Sequence, residues 1–370
     1  MKEGLRLILS PESMIKEEAG ETRPVFLAQC FMKKLFLALT VLVLSCSVVF
    51  AGGSTEAASG EDDGQYKVAL IIENTIDDRG WCQSMHEGIL GAMEQLPGKI
   101  LYEYSERMTT VDSESIARQY IADGFDLIIA HGAQYKNMVS DLAAEFPDVS
   151  FAFGTSSDIV GDNVFTYMPE SEETGYLSGI MAGLLTKTNN IGFVGPVDSG
   201  DAARYARGFI LGVQDVNPEA SINVAFTGSF SDYVRSGELA TTQIMAGADV
   251  LTGASQQAIG ALRACAEYPD VLWLGQDLAQ LDTPEGQAKC VAASAYNYTA
   301  VVVGLINSLD EGVKGGVCIP MNFNNDGFVF DYNPALSSVV TDEIRAKVDE
   351  ALSAFKAAPG VLSNWADVQL

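Results

Sequence analysis

From Tyr66 onward, short apolar runs alternate with stretches of helical spacing, and the whole alternation occurs twice. The first series has strands KVALII (67–72), KILYEY (99–104), FDLIIA (125–130) and VSFAF (149–153), separated by helical segments at 81–96, 113–122 and 134–146. A helix rich in small residues at 172–185 opens the second series. Strands IGFVG (191–195), INVAF (222–226), DVLTG (249–253) and VLWLG (271–275) follow, then one at 289–293, with helices at 202–216, 236–246, 256–267 and 298–309. Near-continuous apolar strands joined by amphipathic helices signal βαβ units, because a parallel sheet buries both of its faces. The expectation is an α/β protein with two Rossmann-like lobes and a ligand cleft between them. Two similar α/β halves are the simplest organisation.

Parallel sheets bind ligands beyond the carboxyl ends of their strands. Glu73 and Asn74 follow the first strand, His131 the third, Thr155 the fourth and Asp277 the VLWLG strand, while Gln256 opens the helix after DVLTG. These ends, facing one another across two lobes, predict a cleft that closes on a small solute. The adjacent carboxylates Asp77 and Asp78 face opposite ways on an extended chain, so they are read as capping residues rather than an acid/base pair. Gly192 and Gly195 lack the G-x-G-x-x-G spacing of a dinucleotide loop.

The amino-terminal region reads as an address. Lys33 and Lys34 precede an uncharged run at 35–51, LFLALTVLVLSCSVVFA, too short for a membrane span of about 20 residues but suited to a secretory signal. Residues 1–31 then read as an extension ahead of the true start at Met32. Two processing points are compatible: Val43-Leu44-Ser45-Cys46, similar to a bacterial lipobox in which Cys46 becomes lipidated, and cleavage after Ala51. GGSTEAASGEDDG, 52–64, reads as a flexible tether.

Beyond Lys34, 16 basic residues face 44 acidic ones. That balance excludes a nucleic-acid binder and a basic lipid-surface binder, while 48% hydrophobic residues exclude a disordered chain. The six cysteines and two histidines show no zinc spacing, and no metal or cofactor is expected. A Cys265–Cys290 disulfide is compatible with an oxidising compartment, though the spacing assigns no pairing. There is no G-x-S-x-G, H-E-x-x-H or P-loop, and no enzyme is expected.

NTIDDRGWCQSMHEG (74–88) resembles the first-loop signature of the basic membrane protein family, which includes purine nucleoside receptors. GYLSGIMAGLLTKTNNIGFVGP (175–196) is similar to that family's central run. ADGFDLIIAHG (122–132), EFPDVSFAF (145–153), ARGFILGVQDVNP (206–218) and GADVL (247–251) follow in family order. The resemblance implies a type I periplasmic-binding fold with three crossover strands, its lobes at 66–167 with 298–318 and at 168–297 with 319–360, and a monomeric receptor that delivers a solute to an ABC permease. It implies that Trp81 stacks on a purine, that Glu73 or Asn74 meets a base edge, and that Asp277 accepts from ribose hydroxyls. The family's neighbouring Asn is Cys82 here, its second stacking aromatic falls at Thr252, and its lysine falls at Asn297, with Tyr296 beside it as a wall. His131 replaces a small residue and is read either as packing or as cleft-facing. These departures leave a free base or a sugar open as ligand, and a sensor feeding a signalling partner open as role.

Overall fold

The computed structural model describes residues 64–370; the signal, the Cys46 and Ala51 processing points and nearly all of the tether lie outside them. The first series forms β1 (Tyr66–Ile71), α1 (Trp81–Gln95), β2 (Ile100–Ser105), α2 (Ser113–Ala122), β3 (Leu127–Ala130), α3 (Lys136–Glu145), β4 (Ser150–Gly154) and β5 (Val164–Pro169). The second runs α4 (Glu172–Leu185), β6 (Asn190–Gly195), α5 (Gly200–Val216), β7 (Ser221–Phe226), α6 (Tyr233–Met245), β8 (Val250–Gly253), α7 (Ala258–Ala266), β9 (Leu272–Gly275), α8 (Pro284–Lys289) and β10 (Cys290–Tyr296). Then come α9 (Tyr298–Asp310), β11 (Val317–Met321), β12 (Phe328–Tyr332) and α10 (Asp342–Ala357).

These strands make two six-stranded sheets, ordered β11-β5-β4-β3-β1-β2 and β12-β10-β9-β8-β6-β7. The first is parallel throughout; in the second only β12 runs antiparallel, against β10. Each sheet reverses its order of growth once, between β1 and β3 and between β6 and β8, which are the points where open α/β sheets leave a crevice. The chain passes between the sheets three times, after β5, after β10 and after β11. This is the two-lobed α/β arrangement expected from the sequence.

The apolar runs are buried on both sides for a visible reason. In β1, Val68 and Leu70 enter one core cluster, while Ala69 and Ile71 enter another. Period-two alternation therefore feeds two cores rather than a core and a solvent face. The small residues of α4 let it touch α5 backbone to backbone: a Cβ at Gly175 would fall on the Tyr205 carbonyl, and one at Gly208 on the Glu172 carbonyl.

Five elements escape the sequence reading: β5, α8, β11, β12 and α10. β11, VCIPM, is an edge strand in which Met321 alone is buried, and it carries Pro320, which an edge tolerates because no ladder donor is needed on its outer side. β12 alternates exposed residues with buried or half-buried ones as the second sheet's edge. The run VCIPM is apolar but broken by Pro320, and FVFDY carries Asp331, so neither reads as a central strand.

Candidate functional site

The strand ends of the two sheets enclose a cavity of about 480 Å³, within the roughly 300–1,000 Å³ usual for small-molecule sites. From the first sheet's side it is lined by Glu73, Trp81, Gly132, Ala133, Gln134 and Thr155; from the second, by Ser199, Gly200, Asp201, Phe230, Ser255 and Gln256. No lysine or arginine is among these lining residues, so the cavity offers nothing to neutralise a phosphate or a carboxylate.

The polar wall is held by its own bonds. Gln134 Nε2 donates to Glu73 Oε2 at 3.0 Å, and burial pushes the Glu73 carboxyl up despite a bond from Gln256. Thr155 Oγ1 accepts from the Ala133 amide at 3.1 Å, tying the loops after β3 and β4 together. Thr155 and Ser255 both adopt left-handed backbone, φ 56° and 64°. That conformation is uncommon without glycine and collects at ligand loops.

Trp81, the first residue of α1, lies flat on the His131 imidazole with ring centroids 4.2 Å apart and planes 10° from parallel. Tyr296 and Tyr298 meet the indole edge-on at 5.3 and 5.7 Å. His131 is wholly buried, with Nε2 3.0 Å from the Trp81 carbonyl and Nδ1 2.6 Å from the Tyr167 hydroxyl. A carbonyl only accepts, so Nε2 carries the hydrogen and Nδ1 accepts from Tyr167. Burial holds the ring neutral, its pKa pushed down to about 3. His131 is thus a backing plate for Trp81, not a cleft residue. At the start of the same helix, Asp78 accepts from the amides of Gly80, Gln83 and Cys82 at 3.0, 3.1 and 3.3 Å, which fixes the turn that carries the tryptophan.

Asp277 sits beside a much smaller space of about 10 Å³, shared with Gly80, Trp81, Ser255, Gln276, Gln280 and Tyr296. That is room for about one water. Its Oδ1 accepts from the Ala279 amide at 2.9 Å, and its Oδ2 lies 2.8 Å from Ser84 Oγ on α1, across the cleft. Burial raises its pKa to about 7. Both oxygens are therefore engaged within the protein, so Asp277 joins the two lobes.

Other expected contacts fall elsewhere. Cys82 is fully buried in the core beneath α1, because the helix turns it away from the cavity that Trp81 faces. Thr252 is fully buried in β8, donating to the Leu274 carbonyl at 2.8 Å and pairing with the Tyr205 hydroxyl at 2.8 Å. The aromatic that enters the cavity from the second lobe is instead Phe230, from the loop after β7. Asn297 is absent from the cavity wall; it precedes α9 and donates to the Asp326 carbonyl at 2.9 Å, bracing one passage between the lobes. Asn74 also lies outside the wall and bridges the lobes through Tyr233 Oη at 3.4 Å. Tyr296 donates to Asp201 Oδ2 at 2.7 Å. Cys265 and Cys290 are free thiols in one apolar cluster rather than a disulfide; Cys290 turns its Sγ–H onto the Ala292 carbonyl at 3.2 Å.

Asp201 and Phe230 carry no motif. The rule that located the other loops reaches them once it is applied to the ends of β6 and β7. Gln134 and Ser255 follow β3 and β8 in the same way.

Residues 65–359 match the family model Bmp, described as ABC transporter substrate-binding protein PnrA-like. The ABC transporter nucleoside-binding protein BmpA of Lactococcus lactis subsp. cremoris is 26% identical over 341 residues, 86% of this chain and 97% of that protein. The CD4+ T-cell-stimulating antigen of Listeria innocua is 30% identical over 223 residues, 58% of this chain; the match spans 62% of the antigen, under two thirds of its length. An ABC transporter solute-binding protein from Conexibacter woesei superposes with a TM-score of 0.67 at 23% identity, covering 82% of this chain and 98% of that one, a likeness of fold. Family model and architecture agree with the motifs along the chain, which belongs to the basic membrane protein family of ABC transporter substrate-binding proteins.

Proposed function

We propose that this protein is an extracytoplasmic receptor that captures a purine nucleoside or nucleobase between its lobes and delivers it to the permease of an ABC importer. The observation that carries the ligand class is the cavity wall: an indole held flat by His131, a phenyl ring from the other lobe, carboxylates at Glu73 and Asp201, and no cation. Aromatic faces suit a heterocyclic base, and carboxylates accept from its N–H groups or from ribose hydroxyls. The missing cation argues against nucleotides and amino acids. The Lactococcus relative named as nucleoside-binding supports the same class. The protein works as a monomer, held at the membrane by lipid on Cys46 or released after Ala51.

A sugar receptor is the second reading, favoured by the amide and carboxylate groups of Gln134, Gln256, Glu73 and Asp201 around the same rings. A thermal-shift panel of the mature protein separates the two. Purine nucleosides and bases, pyrimidine nucleosides, D-ribose and D-glucose are each added, because a ligand that binds only the folded state raises the melting point. A shift with purines supports the first reading. A shift with sugars alone keeps the receptor and discards the purine.

A further inference from the structure

Asp201 lies in the first turn of α5, 7% exposed, and lines the cavity. Its orientation is set by a chain of bonds whose direction is fixed from one end. The Ser255 amide can only donate, and it donates to Gln276 Oε1 at 2.9 Å. Gln276 must therefore present Nε2 to the Tyr296 hydroxyl, 3.0 Å away. That hydroxyl, already accepting, turns its own hydrogen onto Asp201 Oδ2 at 2.7 Å. The same Tyr296 ring lies edge-on against Trp81, so the carboxylate and the stacking face are joined through one side chain. The three donors of the chain each have a single allowed polarity, and the last delivers its hydrogen to Asp201 Oδ2, which leaves an ionised Asp201 only acceptor capacity toward the cavity.

We propose that Asp201 selects the ligand by polarity, accepting a hydrogen bond from a ligand N–H and disfavouring a ligand that presents a lone pair there. This rests on reading the cavity as a purine site. Among purines it favours the 6-oxo class, whose ring N1–H is a donor, over the 6-amino class, whose N1 is a lone pair.

Asp201→Asn is the informative change, because it keeps size and alters direction. The Tyr296 hydrogen still needs an acceptor, so the new amide oxygen takes it and the amide nitrogen, a donor, turns toward the ligand. Inosine, adenosine, D-ribose and D-glucose are titrated calorimetrically into wild type and D201N, with melting points recorded to confirm folding. Wild type should prefer inosine to adenosine, and D201N should lower the inosine-to-adenosine affinity ratio by about 10- to 100-fold, the scale of one charge-assisted hydrogen bond. An unchanged ratio in a folded variant, or a wild-type preference for adenosine, overturns the inference. Binding of a sugar alone overturns the purine reading and the 6-oxo choice, yet a tenfold loss for that sugar in D201N still supports Asp201 as the selecting acceptor. If none of the four binds wild type, both readings fall.

Discussion

Asp277→Asn should remove a pH dependence from closure of the cleft. Ser84 Oγ lies 2.8 Å from the Gly80 carbonyl and 2.8 Å from Asp277 Oδ2, and a hydroxyl has one hydrogen to give. A carbonyl can only accept. Both contacts are satisfied together when Asp277 is protonated: its Oδ2–H donates to Ser84, and Ser84 donates back along α1 to Gly80. An ionised Asp277 leaves one of the two unmade. Burial acts in the same direction and lifts the pKa to about 7. Ser84 and Asp277 stand on opposite lobes, so opening the cleft returns the carboxyl to water and to its ordinary value of about 3.9. The closed form then binds more protons than the open one between about pH 4 and pH 7. By linkage, closure weakens as the pH rises through that window and is constant above it. At 1.36 kcal/mol per pH unit the ceiling is about 4 kcal/mol. In D277N the amide nitrogen donates to Ser84 at every pH. Ligand affinity measured by calorimetry from pH 4.5 to 8.5 should therefore fall less steeply in D277N than in wild type, with the variant the tighter binder above pH 7. The buried carboxyls Glu73, Asp78 and Asp201 are also raised by burial, and they cancel in the difference between the two proteins. Superimposable pH profiles would refute the protonated latch.

Trp81→Ala should weaken ligand binding about 10- to 100-fold, the value of about 1–3 kcal/mol for a base stacked on an aromatic ring; calorimetry on a variant with native circular dichroism checks it. Thr252→Val should instead leave affinity unchanged and cost about 1–3 kcal/mol of stability, since it strips a buried partner from Tyr205; urea melts beside a binding titration separate the two effects. Cys46→Ala should abolish incorporation of labelled palmitate, and a wild-type protein whose mature chain begins at Gly52 would count against lipidation.

Periodicity made the lobes legible. Runs such as LIIA in β3 are buried along their whole length, and only a strand covered on both faces needs such a run. The edge strands β11 and β12 left a weaker signal, because Pro320 interrupts VCIPM and Asp331 interrupts FVFDY, as a strand exposed on one side permits. Glu73, Trp81, Thr155 and Gln256 stand on the cavity wall because strand ends face the crevice, and the end of an apolar run can be found by reading. Thr252 and Phe230 show the limit: whether a residue at the end of β8 enters the core or the cavity depends on Tyr205, 47 positions away along the chain, which claims the threonine hydroxyl. The same holds for His131, which composition marks as a candidate and the Tyr167 hydroxyl makes a support. Local sequence, then, determined the alternation, the two sheets and the loops that must meet, since these follow from periods of two and 3.6 residues. Tertiary structure alone decided which side chains in those loops face a ligand, because partners distant in sequence settle which polar groups are already satisfied.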